Sequence, residues 1–137
     1  MKIKIMLDEG AMITTAHETD AGYDLYSRTT MVIHPRGSAV FDTGVHVELP
    51  KGTMGLLFSK SGLNVKHGIT SEGIIDEGYT GSICAKLYNN TDDIYVVNEG
   101  DKITQLIVVP ILKPELEVVK ELSASERGNN GFGSSGR

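Results

Sequence analysis

The sequence predicts an all-β domain arranged as a sandwich or a barrel, and two patterns support this class. Apolar and polar residues alternate over several short stretches, which is the periodicity of strands with one buried face. Glycine, proline, asparagine and aspartate separate these stretches at short intervals, so the backbone is expected to reverse direction many times. With 137 residues, 39% of them hydrophobic, the chain suits one domain that buries a substantial core.

The individual elements follow from the same patterns. Alternation is clearest at residues 3–7, 45–49 and 83–87. Shorter apolar runs predict further strands at residues 31–33, 56–58, 94–97, 103–109 and 116–118. The single predicted helix runs from about Ser61 to His67, with Ser61 as its N-cap. The lone Cys84 falls within an apolar stretch and is predicted to be a buried thiol without chemistry.

The charge balance limits the partners that this chain can have. A net charge of -5 argues against direct binding to nucleic acid or to an anionic membrane, because such proteins carry a basic stripe. There is no apolar run of membrane-spanning length. The apolar stretch at the N-terminus is too short for a signal peptide, and its apolar residues alternate with polar ones. We therefore expect a soluble protein of the cytoplasm, or of the host-cell interior if the source is viral.

The C-terminal residues 127–136 combine glycines, hydroxyls, one cation and one aromatic ring. Glycines let backbone N–H groups approach phosphate oxygens, Arg127 can pair with them, and Phe132 offers a flat face for stacking. These features predict a segment that closes over a nucleotide polyphosphate. A dinucleotide-binding fingerprint is excluded because no helix follows the glycines. A disordered terminus is the alternative, but it would not need an isolated aromatic ring.

Four other segments carry polar groups in turns or at strand ends, where functional residues are common. They centre on Asp24, on Lys60 and Ser61, on Asp76 and Tyr79, and on Gln105. Each also has an ordinary structural interpretation as a turn former, helix cap, solvated charge or outward-facing strand residue. Taken alone, none of the four segments therefore predicts a function.

Together with the C-terminal segment, these motifs resemble in order those of the trimeric dUTPases, from about Ala21 to Gly136. The resemblance implies a distorted jelly-roll, β-barrel-like subunit with a flexible C-terminal tail. It implies a barrel over residues 1–122 and an arm over residues 123–137 that closes over the active site. It also implies a homotrimer with shared sites that hydrolyses dUTP to dUMP and pyrophosphate with Mg²⁺, by attack of water on the α-phosphate. This activity would keep uracil out of DNA and supply dUMP for thymidylate synthesis.

The resemblance also assigns roles to residues. Asp76 matches the carboxylate that orients and deprotonates the attacking water, and Asp24 matches the acid that holds the magnesium through water. Tyr79 matches the ring packed under the deoxyribose, and Phe132 the ring stacked on uracil. The full set of implied substrate-binding residues is Lys60, Ser61, Gly62, Gly73, Ile75, Tyr79, Gln105, Arg127, Phe132, Gly133, Ser134 and Ser135.

Two departures from the family pattern keep alternatives open. Lys60 stands where arginine is common, and a lysine lacks the planar fork that binds phosphate at two points. Gly78 stands where many members carry a second acid. With glycine at this position, the motif is more similar to that of the dCTP deaminases, which share the fold. Those enzymes place a glutamate in the next strand, where this chain has Cys84-Ala85-Lys86. A nucleotide-gated regulatory binding protein is the third hypothesis, since one fold hosts many functions.

Overall fold

All strand pairs of the structure are antiparallel, and one short helix interrupts the series of strands. The structure is a computed structural model that describes residues 1–136. Its elements, in chain order, are β1 (Lys4–Leu7), β2 (Ile13–Thr14), β3 (Tyr23–Tyr26), β4 (Met31–Ile33), β5 (Ser38–Asp42), β6 (Val45–Glu48), β7 (Thr53–Phe58), α1 (Ser61–His67), β8 (Ile69–Ile75), β9 (Cys84–Asn89), β10 (Tyr95–Val97) and β11 (Lys102–Pro110).

Seven strands form one long curled sheet in the order β2-β3-β11-β7-β8-β9-β5. Two small sheets, β1 with β6 and β4 with β10, complete the fold. Apolar side chains pack in two core clusters, one containing Leu25, Val45, Leu57 and Leu106, the other containing Ile33, Phe41, Leu87 and Ile103. The predicted all-β class is confirmed, and the long sheet resembles half of a barrel.

Most of the predicted elements are confirmed, including the helix from Ser61 to His67. The N-cap assignment is wrong: Lys60 occupies the cap position in an extended conformation, and Ser61 is the first helical residue. No side chain caps this end. At the other end, Gly68 adopts the left-handed φ of 65° that favours glycine, and its N–H donates to the carbonyl of Asn64.

Two further predictions are wrong. Residues 116–118 form no strand, because the chain after Pro110 leaves the sheet and all of residues 111–136 are exposed. Cys84 is exposed rather than buried, because the inner face of β9 is taken by Ala85 and Leu87. Within residues 1–136, no helix is long and apolar enough to cross a membrane.

A β-bulge in β11 breaks its alternation where it pairs with β3. Lys102 lies opposite Tyr26 and Thr104 lies opposite Leu25, so Ile103 is an extra residue on this strand. As a result, Ile103 and Thr104 are both buried although they are consecutive. The bulge sets the direction of the side chains on either side of it, including Lys102.

Candidate functional site

Three neighbouring strands bring Asp24, Gln105 and the end of β7 to one level of the sheet. Gln105 lies opposite Asp24 on one side and opposite Phe58 on the other. The Gln105 amide donates to the carbonyl of Ser59, 3.0 Å away, which fixes its direction at the point where β7 ends. Gly22 permits this packing, because a Cβ there would lie 3.1 Å from the amide oxygen of Gln105 and 2.9 Å from the Leu106 carbonyl.

The carboxylate of Asp24 is held by two lysines. Lys60 donates to its Oδ1, and Nζ of Lys102 lies 3.1 Å from Oδ2. Asp24 as a whole residue is only 5% exposed. Burial alone would raise the pKa of Asp24, but the hydrogen bonds from Lys60 and Lys102 outweigh burial and hold the pKa below its ordinary value. The hydrogen bond to Asp24 raises the pKa of Lys102, so Asp24 stays ionised and Lys102 stays protonated over a wider pH range.

A network of hydroxyl groups fixes the backbone just before Lys60. The Ser59 hydroxyl donates to the carbonyl of Ser71 and accepts from its N–H, at 3.1 and 2.9 Å. The Ser71 hydroxyl lies 2.7 Å from that of Thr104, which in turn donates to the carbonyl of Phe58. These bonds join β7, β8 and β11, so the start of α1 has a defined position relative to Asp24.

The start of the helix presents Ser61 and Gly62 to solvent beside Lys60. Nothing lies within 4 Å of the place where a Cβ of Gly62 would be. The first turn contains no acidic residue. These residues form one polar region, which consists of Lys60, Ser61, Gly62, Asp24, Gln105 and Lys102. We call it the phosphate half-site, because its cations and hydrogen-bond donors suit a phosphate ligand.

The second group of predicted residues lies where β8 ends. Gly73 and Ile75 belong to the strand, and Asp76 begins the loop that follows it. The N–H of Tyr79 donates to the carbonyl of Asp76, and the Tyr79 hydroxyl donates to the carbonyl of Ser82 at 2.9 Å. The side chains of Asp76 and Tyr79 are exposed. We call residues 73–82 the hairpin half-site.

Gly81 allows the Tyr79 ring to fold back over this loop. A Cβ at Gly81 would lie 2.6 Å from the Tyr79 hydroxyl oxygen and 2.7 Å from the ring carbon that carries it. Side-chain carbons do not approach aromatic atoms so closely, so the ring would have to move. The orientation of Tyr79 therefore depends on the absence of a side chain at residue 81.

The two half-sites lie apart within the chain. Phe58, next to the phosphate half-site, pairs with Glu72, whereas Ile75 of the hairpin half-site pairs with Gly55. Three residues along a strand correspond to about 10 Å. The fold of one chain thus groups Asp24, Lys60 and Gln105, but it does not group them with Asp76 and Tyr79.

The C-terminal segment makes hydrogen bonds within itself. Arg127 donates to the carbonyl of Asn130, and the N–H of Ser134 donates to the carbonyl of Gly131. Phe132 is fully exposed. Residues 127–136 are thus not brought to either half-site of the chain, and Arg137, the last residue of the predicted arm, lies outside the described residues.

Sequence reasoning missed Lys102 and the hydroxyl network of Ser59, Ser71 and Thr104. Lys102 belongs to the same segment as Gln105, so a cation beside the predicted amide was a usable signal. Its contact with Asp24 depends on the bulge at Ile103, and alternation alone does not reveal a bulge. The hydroxyls join three strands that are distant in sequence.

The residues of the phosphate half-site fit a magnesium ion whose direct ligands are mainly the phosphate oxygens of a bound substrate. In the part of the chain that the structure describes, no cluster of three or more histidine, cysteine or acidic side chains is placed to hold a metal. Asp24 supplies one ionised carboxylate, and Mg²⁺ takes oxygen ligands while keeping several waters. A single carboxylate suffices where phosphate oxygens supply the direct ligands.

Comparison with known proteins gives a consistent result over the whole chain. The family model for dUTPase matches residues 8–136. The deoxyuridine 5'-triphosphate nucleotidohydrolase of Clostridium acetobutylicum is 44% identical over 139 residues, covering 99% of this chain and 96% of that protein. The enzyme of the same name from Paramecium bursaria Chlorella virus 1 is 38% identical, covering 98% of this chain and 96% of the viral protein.

Solved structures show the same relationship. The dUTPase of Staphylococcus bacteriophage 80alpha with dUpNHpp superposes with a TM-score of 0.92 at 36% identity, covering 99% of both chains. A variant dUTPase of phage phi11 of S. aureus, described with a structural Mg(II) ion, superposes with a TM-score of 0.82 at 35% identity. This second match covers 88% of the present chain and 98% of the phage chain.

Proposed function

The chain belongs to the dUTPase family, and on this premise we propose how it hydrolyses dUTP to dUMP and pyrophosphate. The triphosphate binds at the phosphate half-site of one protomer, and the uracil and deoxyribose bind at the hairpin half-site of another. Asp76 then orients and deprotonates the water that attacks the α-phosphate. The separation of the two half-sites within one protomer is the observation that carries this proposal.

A homotrimer with shared sites follows from the same proposal. To act as the base, Asp76 must lie within reach of the innermost phosphorus through a single water molecule. Within one chain, the two half-sites are about 10 Å apart along the strands, so this contact is easier to make with the phosphate half-site of a second chain. The exposed chain after β11 supports the assembly too, since Leu112, Leu116, Val118 and Leu122 are each more than four-fifths exposed. A segment that leaves several large apolar side chains exposed is often covered by a partner, and cyclic homo-oligomers are the common solution.

The phosphate half-site supplies cations and donors for the triphosphate. Lys60 and Lys102 neutralise negative charge, and Ser61 and Gln105 donate hydrogen bonds to phosphate oxygens. Asp24, kept ionised by the two lysines, is the residue that would hold Mg²⁺, through water. When bound, the metal gathers phosphate oxygens and stabilises the charge that develops on them. Arg127, Gly133, Ser134 and Ser135 of an arm add further donors around the same phosphates.

The hairpin half-site selects the base and supplies the proton acceptor. Backbone groups near Gly73 and Ile75 face the pyrimidine edge, and uracil offers an N3–H donor and an O4 acceptor where cytosine reverses both. A reversed pattern leaves buried groups unpaired, which disfavours dCTP. Tyr79 packs against the deoxyribose, and Phe132 of an arm stacks on the base. The enzyme would act on the nucleotide pool of the cytoplasm.

The test is an exchange of Asp76 for asparagine. Asp76→Asn should lower kcat for pyrophosphate release from dUTP by about 10²-fold or more, while the affinity for a non-hydrolysable imido analogue stays near that of the wild type. Glu77→Gln is the matched control, because it alters the neighbouring acid but keeps an oxygen for the N–H of Gly52. Unchanged turnover in Asp76→Asn would show that this carboxylate is not the base.

The comparisons favour hydrolysis over deamination of dCTP, and the structure agrees for β9. Lys86 lies on its exposed face with Nζ 5.2 Å above the Tyr88 ring, so it is not available as a base at the hairpin half-site. Ammonia release from dCTP would contradict this assignment.

A regulatory role is a second candidate, since the 80alpha dUTPase is described as controlling transfer of virulence genes by a G protein-like mechanism. Such a role would survive in Asp76→Asn, which retains the ligand.

A further inference from the structure

His46 lies next to the hairpin half-site and contacts it directly. Its Nδ1 is 2.8 Å from the carbonyl oxygen of Thr80, the residue that follows Tyr79. Its Nε2 is 3.1 Å from both carboxylate oxygens of Asp8. Only 18% of the side-chain surface of His46 is exposed, so water does not replace these contacts freely. The imidazole therefore joins the loop of Asp76 and Tyr79 to the chain that follows β1.

Both ring nitrogens of His46 face an acceptor, and this fixes which protonation state suits the site. The imidazolium donates from both nitrogens and satisfies the Thr80 carbonyl and the Asp8 carboxylate together. The neutral ring has one N–H, so either tautomer turns a lone pair towards an oxygen. Loss of the proton thus weakens the contact with Thr80 or the contact with Asp8.

The surrounding charges favour the imidazolium. Asp8 pairs with the ring, and Asp42, at the end of β5, adds a second negative charge nearby. Lys4 and Glu48 line the same surface groove, but they pair with each other at 3.1 Å, so their charges largely cancel there. The hydrogen bond to Thr80, followed by the one to Asp8, raises the pKa of His46 above its ordinary value of 6.5.

We propose that His46 is a positioning residue for substrate binding, whose imidazolium holds the loop of Asp76 and Tyr79 through the Thr80 carbonyl and releases it when the ring loses its proton. The inference rests on the proposed role of that loop. It assigns to the enzyme a dependence of dUTP affinity on pH that originates outside the residues that touch the substrate.

The direction of the effect follows from the raised pKa. The imidazolium contributes fully to the stability of the loop below pH 6.5, and this contribution is lost as the pH rises through the raised value. KM for dUTP should therefore rise with pH by roughly two- to tenfold, the range that one hydrogen bond is worth.

The first measurement needs no substrate. NMR titration of the full-length protein between about pH 5.5 and pH 9 should show the His46 ring and the amides of residues 79–82 changing with one common midpoint. We expect that midpoint above 6.5 in the wild type and lower in Asp8→Asn, which removes the carboxylate. The proposal would be overturned by a midpoint at or below 6.5, or by loop amides whose chemical shifts do not change with the titration of His46.

The second measurement compares the pH profiles of KM for wild type, His46→Gln and His34→Gln. Glutamine keeps an uncharged N–H donor, so His46→Gln should bind dUTP with an affinity that lacks the wild-type inflection. His34, exposed in the turn after β4, is the matched control and should keep the wild-type profile. Titration of the triphosphate is common to all three proteins and cancels in the comparison.

The two measurements separate this inference from the proposed function. If wild-type protein releases pyrophosphate from dUTP but His46→Gln shares its pH profile, the positioning role fails and the proposed function stands. If the wild type does not hydrolyse dUTP, the proposed function fails, and the substrate-free titration alone decides whether His46 holds the loop.

Discussion

The ammonium group of Lys60 is hydrogen-bonded to Oδ1 of Asp24, a residue that is almost completely buried. This pair joins two segments that lie 36 positions apart in the chain. It keeps the carboxylate ionised and places a cation at the start of α1. Because Lys102 holds the other oxygen, Lys60 can exchange its contact with Asp24 for a phosphate without leaving the carboxylate unpaired.

Replacing Asp24 by asparagine should destabilise the fold, because two ammonium groups lose their partner. We expect Asp24→Asn to lower the free energy of unfolding by about 1–3 kcal/mol, measured by urea denaturation at a fixed protein concentration. Asp92→Asn is the control, since its ion pair with Arg36 is largely exposed, and it should leave the stability close to that of the wild type.

The effect of Asp24 also depends on pH in a defined direction. Its pKa is lowered in the folded state, so its contribution is present above the ordinary value of 3.8 and is lost as the pH falls through the lowered one. The stability difference between wild type and Asp24→Asn should therefore disappear in strong acid. A difference that persisted there would mean that packing, not charge, is the cause.

Removal of the Lys60 charge should weaken substrate binding. We expect Lys60→Met to raise KM for dUTP roughly ten- to hundredfold, the range of one or two charge-assisted hydrogen bonds, and Lys60→Arg to restore most of the loss. Lys66→Met, on the last turn of the same helix, is the control and should leave KM near the wild-type value. Equal effects of both substitutions would point to helix stability instead.

The Tyr79 ring should respond to a single methyl group at residue 81. Gly81→Ala places a Cβ against the ring and should raise KM for dUTP at least roughly threefold, as expected for loss of the hydrogen bond to Ser82. Gly78→Ala is the control in the same loop, because nothing lies within 4 Å of its Cβ position. Fluorescence or NMR of Tyr79 would report the movement of the ring independently of activity.

Deletion of residues 127–137 should leave a folded protein that is nearly inactive. The described part of this segment is exposed, and its only hydrogen bond to an earlier residue in the described chain joins Gly128 to nearby Ser125, so we expect Tm to change by no more than about 2 °C. Pyrophosphate release should fall strongly, because the donors and the stacking ring of the arm are gone. Normal hydrolysis by the truncated protein would refute the proposed closure.

Sequence reasoning identified what is local in this protein and missed what depends on distant strands. The helix at Ser61 and the strand predicted at residues 45–49, observed as Val45–Glu48, follow from neighbouring residues and are confirmed. The network around Ser71 and the contacts of His46 were not predictable, because their partners lie between 12 and 46 positions away. The exposure of Cys84 was missed because the apolar residues next to it in sequence point to the opposite, buried face of β9.

In the proposed trimer, the self-contained arm of each chain has a consequence for mixed assemblies. If an arm serves a site formed by other protomers, Asp76→Asn chains and arm-deleted chains each lack a different component. Co-assembled in equal amounts, they should regenerate native sites by complementation, to about a quarter of the total for random mixing in a symmetric trimer. Recovery of dUTP hydrolysis from two inactive stocks would thus show, without any further structure, that each chain contributes residues to active sites of neighbouring chains.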